Sequence, residues 1–169
     1  MRNVILNLAV SLDGFIEGPN GEYDWCYTDQ DYGMSAFMKR IDTIFFGRKS
    51  YEVLVGTDGN AYPDKKKFVF SRTVKSVAGA EIIRGNIAKE VGSIKEQQGK
   101  DIWLFGGADL AAFFLDAGLI DELQLAIHPL LLGRGKPLFR GIQHRIGWTL
   151  IEARPYSTGL VQLFYRRGK

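Results

Sequence analysis

Cysteine is nearly absent from the 169-residue chain, and Cys26 stands alone. That excludes an internal disulfide framework, a Cys-x-x-Cys redox pair and a cysteine zinc site. Histidine is almost as scarce. With 2 histidines and 1 cysteine, the chain cannot assemble the His/Cys/Cys zinc set of a nucleobase deaminase, so no metal is expected. No segment approaches the roughly 18 consecutive apolar residues that a membrane helix needs, and no membrane partner is expected. Charge of one sign is also lacking: Lys+Arg 22 against Asp+Glu 19 leaves +3. The basic residues are interrupted by acids and form no extended run, which disfavours a nucleic-acid partner while permitting an anionic ligand. Repeats, proline-rich tracts and low-complexity linkers are missing too, so one domain over residues 1–169 is expected.

Apolar types make up 46% of the chain and charged types 24%, enough for a sizeable core. Val4–Val10 is apolar on both faces except at Asn7, which fits a central strand of a covered sheet. No small-x-small cleavage site follows it, so it reads as a strand rather than a signal peptide, and the cytosol is the expected location. Residues 11–27 form a long polar and aromatic loop. Met34, Phe37, Met38 and Ile41 recur at helical spacing, predicting a short helix over about 31–40. Strands are expected at 43–46, 68–70, 81–83 and 102–105. Helices are expected from Ser50, from Asn86 as a cap, and from the residues after Gly106-Gly107 to Gly118. The last third is strand-like at 122–127, 148–153 and 160–166, with a hairpin around Pro155 and Gly159. The fold class is therefore α/β: a single mixed, mostly parallel sheet with helices on both faces and an antiparallel C-terminal edge.

Three strand ends carry polar or glycine-rich signals: Gly47-Arg48-Lys49-Ser50, Ser71-Arg72-Thr73 and Gly106-Gly107-Ala108-Asp109. Ligands of open α/β sheets bind outside the carboxyl ends of strands, where helix N-termini present free amides. Glycine lets the backbone approach phosphate oxygens, and arginine adds planar multi-donor contacts. Together the junctions suit a phosphorylated cofactor, although none matches G-x-G-x-x-G or the ATP-type phosphate loop. Read singly, Gly106-Gly107 is equally a tight turn, and Arg48 and Arg72 are equally solvated arginines.

Six motifs in order carry a resemblance over essentially the whole chain. They are Ala9-Val10-Ser11-Leu12-Asp13-Gly14-Phe15-Ile16, Phe46-Gly47-Arg48-Lys49-Ser50-Tyr51-Glu52, Phe70-Ser71-Arg72-Thr73, Phe105-Gly106-Gly107-Ala108-Asp109-Leu110, Leu119-Ile120-Asp121-Glu122-Leu123 and the run from His128 to Phe139. The chain resembles the dihydrofolate reductase-like superfamily, in the branch that includes the C-terminal reductase domain of the bifunctional riboflavin-biosynthesis deaminase–reductase. The resemblance implies a three-layer αβα domain and NADPH as cofactor. Gly47, Arg48, Lys49 and Ser50 would surround the cofactor phosphates. Ser71 and Arg72 would hold the 2′-phosphate, Gly106, Gly107 and Ala108 the diphosphate, and Ala9 and Ile16 the nicotinamide pocket.

On the substrate side, the resemblance implies a small, planar heterocycle, phosphorylated in the riboflavin-type reaction, and a homodimer. The folate-reducing carboxylate maps onto Asp31, counted back from Gly47-Arg48, but the usual Trp-x-x-Pro-x-Asp pattern around Trp25 is absent. Asp31 reads equally as a helix N-terminal charge. Asp13 lies on the substrate side in the riboflavin branch and reads equally as half of an Asp-Gly turn. Trp25 is a substrate-stacking candidate, and Arg134 and Lys136 are candidates for a substrate phosphate. His128, before Pro129, reads as a structural histidine, with proton donation as the other reading. Tyr23, Trp25 and Tyr27 either stack on a heterocycle or pack the loop down.

Overall fold

Alternating apolar residues divide each central strand between two faces of one sheet. In the computed structural model, which describes residues 1–59 and 61–168, β1 (Val4–Ser11) turns Val4, Leu6 and Val10 to one face and Ile5 to the other. β3 (Ile41–Gly47), β4 (Lys66–Phe70) and β6 (Asp101–Gly106) divide their side chains in the same way. The first face is covered by α3 (Ile87–Glu96) through Val91 and Ile94, and by α4 (Ala108–Asp116) through Ala111, Phe114 and Leu115. The second is covered by α1 (Met34–Arg40) through Phe37 and by α2 (Arg48–Thr57) through Tyr51. Phe45, Phe46 and Phe114 are fully buried, and burying side chains of this size contributes about 1.5–3 kcal/mol each.

With β5 (Glu81–Ile83), β7 (Glu122–His128), β9 (Trp148–Pro155) and β10 (Val161–Arg167), the sheet has 8 strands in the order β5-β4-β3-β6-β1-β7-β10-β9. Pairings from β5 to β7 are parallel, while β10 runs antiparallel to both β7 and β9. The three-layer αβα architecture and the antiparallel C-terminal edge are as expected. A second pairing lies inside the stretch read as a long loop: β2 (Phe15–Glu17) pairs antiparallel with β8 (Lys136–Pro137). Strands of 3 and 2 residues are too short for a periodic signal.

The helix expected from about 31 begins at Met34. Gly33 precedes it in the left-handed region at φ 76°, a conformation that glycine enters without strain. Asn86 caps α3 by accepting the Lys89 amide at 3.1 Å, as its side chain suggested. No described helix is long and apolar enough to cross a membrane.

The two ends of the parallel strands differ chemically. At the amino-terminal ends, Arg40 pairs with Asp101 at 2.7 Å and with Glu122 at 2.8 Å, and Lys95 pairs with Asp121 at 2.7 Å. Buried Arg2 pairs with Asp42 and donates to Thr43 Oγ1 at 2.6 Å. The carboxyl ends carry glycine, hydroxyl and aromatic residues.

Candidate active site at the carboxyl ends of the strands

The three junctions meet along one edge because β4, β3 and β6 are neighbours in the sheet. Phe46 stands opposite Gly106 in register, and Gly47 opposite Phe70. α2 and α4 begin side by side, after Gly47 and Gly107, and neither N-terminus has a side-chain cap. Their first amides are therefore left for another acceptor. The approach is close: a Cβ on Gly47 would lie 3.1 Å from the Gly107 nitrogen and 3.3 Å from the Gly106 oxygen. A Cβ on Gly107 would lie 3.2 Å from Ser50 Oγ. Gly106, with φ 121°, needs the freedom of glycine, and the peptide joining it to Gly107 is cis. This is a backbone-lined cradle beside two positive helix ends, suited to a diphosphate.

The basic side chains around it differ in their commitments. Arg48 reaches forward to Glu52, with Nη1 2.9 Å from Oε1. Lys49 and Arg72 are exposed. Ser71 Oγ accepts the Val74 amide at 3.1 Å and so shapes the turn that presents Arg72. Ala108, the first residue of α4, is buried. On the adjacent strand, half-buried Ala9 pairs with Ala126 of β7. Ile16 packs from β2 against the core.

Asp13 follows β1 and is fully engaged. Its carboxylate accepts Ser11 Oγ at 2.6 Å, the Leu132 amide at 3.1 Å and the Gly133 amide at 2.7 Å. The Ser11 hydroxyl leads the influences that hold its pKa below the ordinary value. Asp13 thus ties the turn after β1 to the segment bearing Arg134 and Lys136. Lys136 pairs with Glu17, while Arg134 is exposed. Asp31, also exposed, accepts the Ser35 amide at 2.8 Å in the first turn of α1, and that bond leads the lowering of its pKa. Both carboxyls are ionised at neutral pH and serve backbone amides.

The aromatic loop packs down on β7. Buried His128 accepts the Tyr27 amide at Nε2 (3.0 Å), and its Nδ1–H donates to the Ala126 carbonyl (2.9 Å). This is the neutral imidazole with both nitrogens satisfied, the structural reading of His128. Its ring meets Trp25 and Tyr27 edge-on at 5.2 and 5.0 Å. Tyr32 continues the row, 4.9 Å from Tyr156 of the β9–β10 turn, and Gln162 donates to the Tyr32 carbonyl at 2.6 Å. Tyr23 remains exposed. The contributions of Tyr32, Tyr156 and Gln162 had no sequence signal beyond the hairpin itself, since Tyr32 lies more than a hundred residues from the other two along the chain. Burial and nearby Asp24 push the Cys26 thiol up to about 11, which leaves it protonated and unreactive.

A separate apolar cavity of about 450 Å³ lies between α4, the β7–β10 surface and Phe139, Ile142 and Trp148. It contains none of the residues at the three junctions, and its lining is aliphatic and aromatic, with Trp148 and Tyr165 as its polar-tipped members.

Residues 2–162 match the model of the RibD C-terminal domain. The chain belongs to this family. The Bacillus subtilis proteins YyaP and YwjB are similar, at 48% and 33% identity over 97% and 98% of this chain, covering 94% and 98% of theirs. A Shewanella sp. PV-4 protein assigned to riboflavin biosynthesis has a similar structure, with TM-score 0.89, 26% identity and complete coverage of both chains. The Enterococcus faecalis dihydrofolate reductase complexed with NADP(H) shares the fold at TM-score 0.73 and 17% identity, covering 99% of this chain and 97% of that one. Membership of the RibD C-terminal domain family thus rests on the sequence match, and the fold shared with the dihydrofolate reductase agrees with it.

Proposed function

We propose that this chain is an NADPH-dependent reductase of the 5-amino-6-(5-phosphoribosylamino)uracil reductase type. The observation that carries the reading is the pair of uncapped helix N-termini meeting at Gly47 and Gly106-Gly107, a cradle that one Cβ would begin to fill. The residues present suit NADPH. The α2 and α4 amides, with Ser50 and Lys49, would hold the diphosphate, and Ser71 and Arg72 the 2′-phosphate. Arg48 would lend charge while tied to Glu52. Bound there, NADPH supplies a hydride for a C=N or C=O carbon. Ala9 and Ile16 would bound the nicotinamide side, and Trp25 the heterocycle, so that the reacting carbons are aligned and bulk water is kept out while a single water reaches the substrate.

Neither ionised carboxyl is suited to giving up a proton, so we assign that role to water. Asp13 acts instead by fixing the segment that offers Arg134 and Lys136 to a substrate phosphate. Asp31 sets the start of α1 beside the same space. A cytosolic homodimer is the form we expect to be active.

The engagement of both carboxylates by backbone amides also favours a second reading, a nucleotide-binding protein of this fold without turnover. One experiment separates them. NADPH and NADH are titrated by nicotinamide fluorescence, and the reduced nicotinamide is then followed with the deaminated phosphoribosylaminopyrimidine and with dihydrofolate. Tight NADPH binding with oxidation by the pyrimidine supports the reductase, and binding without oxidation by either substrate supports the second reading. Failure to bind either nucleotide below millimolar concentration rejects both.

A further inference from the structure

The segment from Glu22 to Asp31 is fixed at its ends and held in its middle by one histidine. On one side, the Gly18 amide donates to the Glu22 carbonyl at 2.8 Å and β2 pairs with β8. On the other, Gln162 holds the Tyr32 carbonyl at 2.6 Å. Gly21 and Gly33 flank the segment with φ 84° and 76°. Between these anchors, the Tyr27 amide is bonded to His128 Nε2, and Trp25 and Tyr27 pack edge-on against the same ring. The packed position is not fully satisfied: the Trp25 indole nitrogen is sealed from solvent and has no hydrogen-bond partner. Closing the segment therefore gains the His128 contacts and leaves a donor unmet.

We propose that His128 is a positioning residue, a neutral latch that holds Trp25 and Tyr27 against the end of β7 and opens the segment when the ring gains a proton. The chemistry is local. Nδ1 already donates to the Ala126 carbonyl, so an added proton must go on Nε2, where it displaces the Tyr27 N–H. The cation would also be buried, at 2% exposure. Among the described residues, no carboxylate lies within ion-pair distance of the ring. On β1 the neighbour in register is Ser11, whose hydroxyl is bonded to Asp13. The 22–31 segment brings Asp24, the protonated Cys26 thiol, Tyr27, Asp29 and Asp31, and the β9–β10 turn brings Tyr156 and Thr158. Burial lowers the proton affinity of His128, and the Ala126 carbonyl partly restores it.

The sign follows from linkage. Opening takes up a proton at pH values between the lowered value of the latched ring and the ordinary value of the released one, 6.5. Across that window the opening equilibrium rises by up to about tenfold per pH unit. The consequence for catalysis rests on the reductase reading, in which Trp25 borders the substrate. The latch itself does not.

Hydrogen exchange of the full chain, corrected for the intrinsic pH dependence, reads the latch without any ligand. From about pH 7.5 to about pH 5.5 the Tyr27 amide should lose about tenfold in protection while the β1 and β6 amides keep theirs. His128→Gln retains an acceptor for Tyr27 and cannot titrate, so its protection should be independent of pH. Constant protection in the wild type overturns the proposal, as does an equal pH response in a folded H128Q. If H128Q fails to fold, the wild-type series remains decisive. In the reductase assay, the wild-type KM for the pyrimidine should rise on acidification more than kcat falls, and H128Q should flatten that rise. An unchanged KM beside an opening segment overturns the positioning role. Absence of NADPH binding instead rejects the reductase reading and leaves the exchange test intact.

Discussion

The carboxylate of Asp13 accepts the amide of Gly133 at 2.7 Å across 120 residues of sequence. Through this contact and its neighbour at Leu132, the turn that follows the first strand positions the loop that follows the seventh. A substrate phosphate held by Arg134 would thus be placed by an aspartate that never touches it.

Asp13→Asn tests that arrangement. An asparagine keeps one acceptor oxygen and loses the charge, so the Leu132 and Gly133 amides should exchange about tenfold faster, with the core unaffected. The pKa of Asp13 lies below its ordinary 3.8, so the clasp is fully formed above that value and weakens as pH falls below it. Exchange at these amides should therefore be flat from neutral pH down to about 4, where the His128 latch has already opened. Acid sensitivity of both sites at the same pH would contradict the assignment.

Arg72→Ala should weaken NADPH by about tenfold or more and NADH by less than about twofold, since only the former carries the 2′-phosphate. Equal losses for the two nucleotides, measured by fluorescence titration, would remove Arg72 from that role.

Gly47→Ala places a methyl 3.1 Å from the Gly107 nitrogen, where the neighbour is backbone and cannot rotate away. Overpacking of this kind costs about 1–3 kcal/mol. Denaturant titration should show that loss, and NADPH affinity should fall by at least about tenfold because the helix ends are pushed apart. Unchanged affinity would mean that the cradle is not the phosphate site.

Arg40→Met removes the partner of Asp101 and leaves buried Glu122 with Arg166 at 3.4 Å. The guanidinium is about one-third exposed, so the expected loss is discounted to about 1–3 kcal/mol. The nucleotide Kd should not change, because the ion pairs lie at the far ends of the strands. A shift in Kd without a loss of stability would reverse that division.

Much of the fold was legible because burial on two sheet faces writes itself as unbroken apolar runs: Val4, Ile5 and Leu6 fill both layers, and no polar residue interrupts Ile102–Phe105. The glycine junctions were legible because backbone approach demands a particular residue type. What was hidden depended on distant pairing. β2 and β8 are too short to leave a period, and the distant hydrogen-bond partners of Asp13 and His128 are backbone amides, which any residue but proline supplies. The same reason left Tyr32 and Gln162 unremarked, since neither has a distinctive neighbour along the chain.

The separation of ion pairs at one end of the strands from glycines at the other has a consequence for how the protein can change. In a library of random variants, damage at Arg40, Asp101 or Glu122 should surface as heat sensitivity and be rescued by stabilising changes elsewhere. On the reductase reading, damage at Gly47 or Gly107 should resist such rescue, because it alters the shape of the cradle itself. On that reading, new substrate preferences would accumulate in the loops between Asp13 and Tyr32 while the opposite end supplies a reserve of robustness.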